Sequence, residues 1–457
     1  MKNLISFSFL LILLPQISFT EWQNKLLSLD NKFKPQFIIS IKKSIPDKIE
    51  KKVNNHPTNL IVQTPSTPAE SQKLIGTATN LKSTANRMIS YRHQRHMWIT
   101  RDGAIHVLFN QGANYYGASL VLYSSFDSGK SWKWILSIPN TDSTSTADGF
   151  LYNQKIFLTY SSATGSLLFL PITYDTLARK WIYSRPNTIY QSNDFVAASP
   201  TIAVDSNGYL WTTFVAQQNF SKNYFIRLSN SPNLGLSWAN THVNLGATNQ
   251  SARKSARLVA LKDRIGIVFT NDDTFYWAYK INNSTFPTTW ETQPIFTYQP
   301  GSNNSLYSSH FSLVSDPFDN IHLVTHDFGR LVHLKFDRQK QNWQPIKILS
   351  DDARVSYTQV SLSTRNKLLI TYNHKTQVGI FESSDYGKSF KFIKLLSYPM
   401  ISDFPGHTVS FEAPRIITPA IISNTLPLLQ QFQIDGAYSL INFNLKLEVS
   451  SSQIPTP

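Results

Sequence analysis

The chain has 457 residues, 43 lysines and arginines against 28 acids for a formal charge of +15, and only 16% charged residues beside 13% aromatic. That length supports a large core, and with helical periodicity scarce the composition points to an all-β protein of many short buried strands, not to a disordered or helical one. With no cysteine, disulfides and cysteine lipidation are excluded.

Residues 1–20 read as a secretory signal peptide: Lys2 supplies the positive start, Leu4 to Ile17 an apolar core broken by Pro15, and Ser18-Phe19-Thr20 the small residues of a cleavage site. The run is short for a membrane span, so no transmembrane segment is expected after cleavage. A cysteine-free exported chain fits a secreted or periplasmic bacterial protein. Sequons at Asn219, Asn249, Asn282, Asn283 and Asn303 are chance matches in a chain rich in Asn and Ser. Residues 21–70 read as a flexible basic leader, with Lys25, Lys32, Lys34, Lys42, Lys43, Lys48, Lys51 and Lys52 facing only Glu21, Asp30, Asp47 and Glu50. A basic surface favours anionic partners. No nucleic-acid motif is present, and no nucleic acid is expected as partner.

From about residue 85 a repeat governs the chain. Trp132, Trp181, Trp238, Trp290, Trp343 and Phe390 recur at gaps of 49, 57, 52, 53 and 47 residues. Each follows apolar runs separated by turn residues, most clearly at Asp205-Ser206-Asn207-Gly208. The unit reads strand, turn, strand, loop, strand, turn, strand, which is a four-stranded propeller blade. Six units are plain. A partial seventh runs from Ala413 to Leu447 without a fourth strand, and Leu74-Ile75-Gly76-Thr77-Ala78 is the candidate to complete it. The expectation is an all-β propeller over residues 72–447, seven blades being preferred to six, with 448–457 a disordered tail.

Within the repeat one turn stands out. Ser125-Phe126-Asp127-Ser128-Gly129-Lys130-Ser131-Trp132 joins two apolar strands; Ser383 to Phe390 repeats it closely, and Ser231 to Trp238 repeats it with Asn233 for Asp. The acid can accept backbone N–H bonds, the glycine can take positive φ, and the aromatic can pack across the hairpin. This resembles the Asp-box, or BNR, repeat of the sialidase-like β-propellers. The hairpins ending at Trp181, Trp290 and Trp343 have lost the acid or the glycine. Trp132, Trp238 and Phe390 are expected to be buried.

If strands alternate in direction, the residues just before each first strand ring the central opening, and the Asp-box turns lie on the opposite face. Those positions hold Arg92, His93, Gln94 and Arg95; Asp148; Arg253, Lys254 and Arg257; His310; Tyr357 and Gln359; and Glu412 with Arg415. Asp272, Asp273, His326, Asp327, Asn373 and His374 stand at the ends of second strands. The resemblance implies a glycoside hydrolase site in which three arginines clamp a carboxylate and a tyrosine nucleophile works with a glutamate and an aspartate. Here Arg95, Arg253 and Arg415 would form the clamp, Tyr357 would be the nucleophile, Glu412 its base, and Asp148 or Asp272 the acid. The family's early Phe/Tyr-Arg-Ile-Pro motif survives only as Tyr91-Arg92. His322, His326 and His333 with Asp327 suggest a second chemistry, a polysaccharide lyase or a metal-assisted site, His326 being the substrate-binding candidate. No cofactor is called for, and no metal is assigned. The expected protein binds or processes an extracellular, acidic glycan as a monomer; the alternatives are a non-catalytic propeller for glycan or protein binding, and a lyase.

Overall fold

The computed structural model describes residues 77–446 except 86–87, 90, 92, 113–117, 222, 249–254, 272, 283–289, 300–309, 353–354, 363–366, 375–376, 398–408, 418–424 and 435–436. Side chains of 77–80, 241–244, 246–248, 377, 394–397 and 409–446 are likewise outside the description. The expected signal peptide, leader and tail therefore lie outside the described residues.

The chain is an all-β propeller built from four-stranded antiparallel blades. Blade one comprises Met97–Ile99, Ile105–Asn110, Leu120–Ser125 and Lys133–Ser137. Blade two has Ala147–Tyr152, Lys155–Ser161 and Leu167–Asp175, with an outer edge split into Lys180–Tyr183 and Asn187–Tyr190. Blade three has Phe195–Val204, Leu210–Gln218, Tyr224–Ser231 and Ala239–Thr248. Blade four has Ala256–Ala260, Arg264–Asn271, Thr274–Ile281 and Glu291–Thr297. Blade five has Phe311–Ser315, Ile321–Asp327 and Arg330–Asp337, with its edge split into Asn342–Trp343 and Lys347–Ser350. Blade six has Val355–Leu362, Leu368–His374, Gln377–Ser383 and Lys391–Ser397.

Six blades, and not seven, are thus described by side chain as well as backbone. The remaining sheet is described by its backbone and joins Val409–Ile417, Thr425–Ile434 and Ala437–Lys446 to Thr77–Ser83, which pairs antiparallel with the last of these. Thr77 and Ala78 of the expected completing segment lie in this pairing strand, and the segment's Leu74, Ile75 and Gly76 lie outside the described residues. Val409–Ile417 neighbours the first strand of blade six.

Inner strands are buried on both faces because blades pack against their neighbours. Every residue of Ile105–Asn110 and of Ile321–Asp327 is buried. The cores accordingly lie between blades: Trp98, Leu108 and Leu122 meet Ile156, Leu170 and Trp181 between blades one and two, and Phe275 and Trp277 meet Phe311, Leu323 and Phe336 between blades four and five. Each such side chain contributes about 1.5–3 kcal/mol by leaving water.

The three acid or amide turns have one geometry. Asp127 Oδ1 accepts from Ser125 Oγ (2.8 Å) and Ser131 N (2.9 Å), its Oδ2 accepts from Ser131 Oγ (2.5 Å), and Gly129 N donates to Ser125 Oγ (2.7 Å). Asp385 repeats this with Ser383, Gly387 and Ser389, and Asn233 with Ser231, Gly235 and Ser237, except that its Nδ2 donates to Ser237 Oγ. Ser128, Leu234 and Tyr386 each precede the glycine at positive φ, so the bend needs two successive left-handed residues. Trp132 and Phe390 are buried as expected. Trp238 is only half-buried, because one edge rests on Phe169 (5.2 Å) while the exposed residues Ser237 and Ala239 flank it.

Register fixes the faces. In blade three Phe195 lies opposite Gln218, and Val204 opposite Leu210, which pairs Ser231. The start of the first strand and the loop between strands two and three therefore share one face, and the Asn233 turn lies on the other.

Candidate functional site at the start of the first strands

The starts of the first strands hold one another directly. Asp148 of blade two is fully buried, and its Oδ1 accepts from Arg257 of blade four at 2.6 Å and from the backbone N–H of Arg95 at 2.5 Å. Its Oδ2 accepts from the backbone N–H of Ile202 in blade three at 2.8 Å. One carboxylate thus ties four blades together. Arg257 is 1% exposed, so the pair is sealed from solvent and each member depends on the other. Thr201 Oγ1 adds a further tie, accepting from Leu258 N (3.2 Å) and donating to the Ala256 carbonyl (3.3 Å).

The segment before blade one crosses to distant blades. Gln94 Nε2 donates to the Pro200 carbonyl (2.8 Å). His93 stacks on Phe311 of blade five (5.2 Å, 10°) and on Tyr91 (5.6 Å), and its Nε2 lies 3.3 Å from Ser199 Oγ. His93 and Gln94 are buried, whereas Arg95 is exposed. The Arg95 guanidinium lies 5.6 Å from the Phe150 ring centroid. Surrounding protein, and then the neighbouring Arg257, pull it down to about 10, while Asp148 acts the other way.

Blades five and six supply the second part. Tyr357 sits in a β-bulge of the first strand with φ 51. Its ring lies 5.0 Å from His310 and 6.4 Å from His326, which are 5.5 Å apart. Ser199 occupies a matching bulge in blade three with φ 52. Such backbone is costly for a bulky residue and is retained where it aims a side chain. Behind the cluster Tyr298 Oη lies 2.9 Å from Thr325 Oγ1, which donates to the His310 carbonyl (3.2 Å), and burial pushes the Tyr298 phenol up. Buried Asp327 pairs with Arg330 at 2.6 Å.

Of the expected site residues, Tyr357 and His326 come together. Arg95 and Asp148 meet through the Arg95 backbone. Arg253 and Asp272 lie outside the described residues. Glu412 and Arg415 are placed only as members of Val409–Ile417, with no side-chain description. The expected grouping of His322, His326 and His333 is corrected: His322 lies 3.2 Å from both His333 and Asp316, on the blade-six joint, while His326 turns to His310 and Tyr357. Among the described residues no three His, Cys, Asp or Glu side chains could hold a metal ion.

No protein-family model and no curated protein matches the chain. Among solved structures, the chain is similar to a mutant of Trypanosoma rangeli sialidase displaying trans-sialidase activity, at 12% identity and a TM-score of 0.44, over 82% of this chain and 60% of that one. It spans, then, less than two thirds of that sialidase. It is also similar to an Aleuria aurantia lectin mutant in complex with Fucalpha1-6GlcNAc, at 12% identity and a TM-score of 0.42, over 68% of this chain and 99% of that one. A protein of unknown function from Dyadobacter fermentans matches at 11% identity and a TM-score of 0.42, over 81% and 99%.

Sequence reading named Arg257 and His310 as ring residues without seeing their roles, and missed Ser199. Nothing local marks Ser199. The signal for Arg257 is a lone arginine inside an apolar first strand, Ala256–Ala260, a place where a charge demands a buried partner.

Proposed function

We propose that this is an exported sialidase-like propeller whose first-strand face binds an extracellular acidic glycan, Arg95 receiving the carboxylate. The observation that supports it is a charge imbalance. Among the described residues Arg95 and Arg257 share one carboxylate, and the oxygens of Asp148 are already taken by Arg257 and two backbone N–H groups. Arg95 keeps a positive charge on an accessible side chain, and a planar guanidinium is suited to bind a carboxylate with two parallel hydrogen bonds. Arg253 and Arg415 are proposed as the other clamp members. In a hydrolase of this kind Tyr357 would be the nucleophile with Glu412 as its base. Asp148 serves to hold Arg257, so the acid role falls to Asp272.

The proximity of Tyr357 to His310 and His326 favours a second reading, a lyase, in which tyrosine and histidine exchange a proton beside a carboxylate neutralised by arginine. The turns at Asp127, Asn233 and Asp385 are read as Asp-boxes, the sheet containing Thr77–Ser83 as a seventh blade closing the ring, residues 1–20 as a cleaved signal peptide, and the protein as a secreted or periplasmic monomer.

A glycan array followed by hydrolysis and elimination assays on sialosides and uronic-acid polymers tests the proposal, with wild type, Arg95→Ala and Tyr357→Phe. Binding to acidic glycans lost in Arg95→Ala is expected. Turnover abolished by Tyr357→Phe with binding spared supports the nucleophile, and turnover that survives it leaves the lyase. Binding without turnover makes the protein a lectin. Binding confined to neutral sugars and indifferent to Arg95 overturns the carboxylate reading.

A further inference from the structure

Three aromatic residues on the first-strand face hold left-handed backbone: Tyr357, Phe220 (φ 58) and Phe328 (φ 50). Tyr357 belongs to the cluster above. Phe220 and Phe328 do not, and both stand on the loop between strands two and three, in blades three and five. Phe220 is fully exposed, and Phe328 is 44% exposed. Bulky residues rarely adopt this conformation.

Neither loop is loose. Asn219, beside Phe220, donates from its side chain to the Asn193 carbonyl (2.7 Å) and from its backbone to the Asp194 carbonyl (2.7 Å). Asn223 and Ser221 donate to Gln218 Oε1 at 3.0 and 3.2 Å. Phe328 and Gly329 (φ 78) form the two-residue turn between Asp327 and Arg330, a site where asparagine is favoured over phenylalanine. The Gly329 carbonyl accepts from Val355 N at 3.1 Å. Each ring is therefore held out on a fixed, strained support.

The surroundings distinguish between partners. A protein partner needs a continuous apolar patch. Each phenylalanine here is flanked in the chain by polar residues: Gln218, Asn219, Ser221 and Asn223 beside Phe220, and the half-buried Arg330 two residues after Phe328. An isolated apolar ring with hydrogen-bonding neighbours matches a pyranose, which offers one C–H face within a rim of hydroxyls. We propose that Phe220 and Phe328 are stacking platforms for separate sugar units of one glycan chain, so that the ligand is an oligosaccharide and not a single terminal sugar. Blade four stands between them, and packed sheets are about 10 Å apart, so one ring cannot reach both. The inference rests on the glycan reading of this face.

The test is calorimetry of the full chain with oligogalacturonates from monomer to hexamer, using wild type, Arg95→Ala, Phe220→Ala, Phe220→Gly, Phe328→Ala and Phe328→Asn. Wild type should bind the hexamer more tightly than the monomer. Either Phe-to-Ala change should lower hexamer affinity about tenfold and spare the monomer. Phe328→Asn and Phe220→Gly relieve the backbone and should raise the melting temperature while weakening the hexamer, an opposition that a merely structural phenylalanine would not give. Hexamer binding unchanged in the phenylalanine variants but lost in Arg95→Ala overturns the platforms and leaves the carboxylate site. Binding weakened by the phenylalanine changes but indifferent to Arg95→Ala keeps the platforms and removes the carboxylate site. No wild-type binding to any oligomer overturns both.

Discussion

A buried carboxylate is only as stable as its donors, and Asp148 has three of them on three other blades. Asp148→Ala would strand Arg257 in the interior and leave two backbone N–H groups without an acceptor. A loss of about 3–5 kcal/mol is expected, read by urea denaturation; a loss under about 1 kcal/mol would show that the pair holds nothing. The sequence exposed Asp148 as a polar residue at a first-strand start, but its partner lies 109 residues away, and only the packing of successive blades brings the two together. His106 gives a pH dependence of defined sign. Its Nδ1 lies 2.6 Å from Ser124 Oγ and its Nε2 2.9 Å from Thr100 Oγ1, Trp181 and Tyr174 pack edge-on, and Asp102 is the nearby charge. Burial lowers it to about 3 against the opposing pull of Asp102. Below about pH 6.5 the unfolded chain binds a proton that the folded one refuses, so stability falls as pH falls from 6.5 toward 3. At pH 5 the deficit is about 2 kcal/mol. Denaturation of wild type and His106→Gln at pH 7.5 and 5 should show the difference between the two pH values shrinking by about that amount; an unchanged difference would place the titration elsewhere.

At the scale of elements, turn and neighbouring blade form a unit. In blades two and five the third strand ends in a different turn, where Asp175 or Asp337 accepts two successive backbone N–H groups, and in both the outer edge is split. The second piece of each edge then caps the next blade's turn: Asn187 Nδ2 donates to the Gly235 carbonyl (2.9 Å), and Lys347 Nζ to that of Gly387 (2.9 Å). The turns themselves were legible because their bonds span two to four residues. The capping was not, because Asn187 and Lys347 belong to other blades. Asp127→Ala and Asp385→Ala should each cost about 1 kcal/mol and leave ligand affinity unchanged, since these turns lie away from the first-strand starts; a loss of binding without a change in melting temperature would reverse the assignment of faces. Gly235→Ala should be worse than either. Its φ is 90, and a Cβ there would lie 2.0 Å from Phe169.

For the whole molecule, the repeat spacing revealed the blades because each unit must bury both faces of its inner strands against neighbours. It also revealed that an early strand completes the last sheet. Of the expected segment Thr77 and Ala78 pair with Ala437–Lys446, while Leu74, Ile75 and Gly76 lie outside the described residues. Leu81, fully buried against the blade-one core with Phe109 and Trp132, joins the early strand to the rest. Leu81→Ala should cost about 2–5 kcal/mol, and removal of residues up to 83 should abolish a cooperative thermal transition. A truncated chain that melts as the full one does would separate this strand from the fold. The site was legible as a list of polar positions and not as contacts, because arginines, histidines and Tyr357 meet only across blades. The most direct measurement is the affinity of wild type and Arg95→Ala for one uronic-acid oligosaccharide and its carboxyl-reduced counterpart. Loss of about 1.5–3 kcal/mol on removing either the guanidinium or the carboxylate, with no further loss on removing both, is the expected result, and equal affinity of wild type for the acidic and reduced sugars would contradict it.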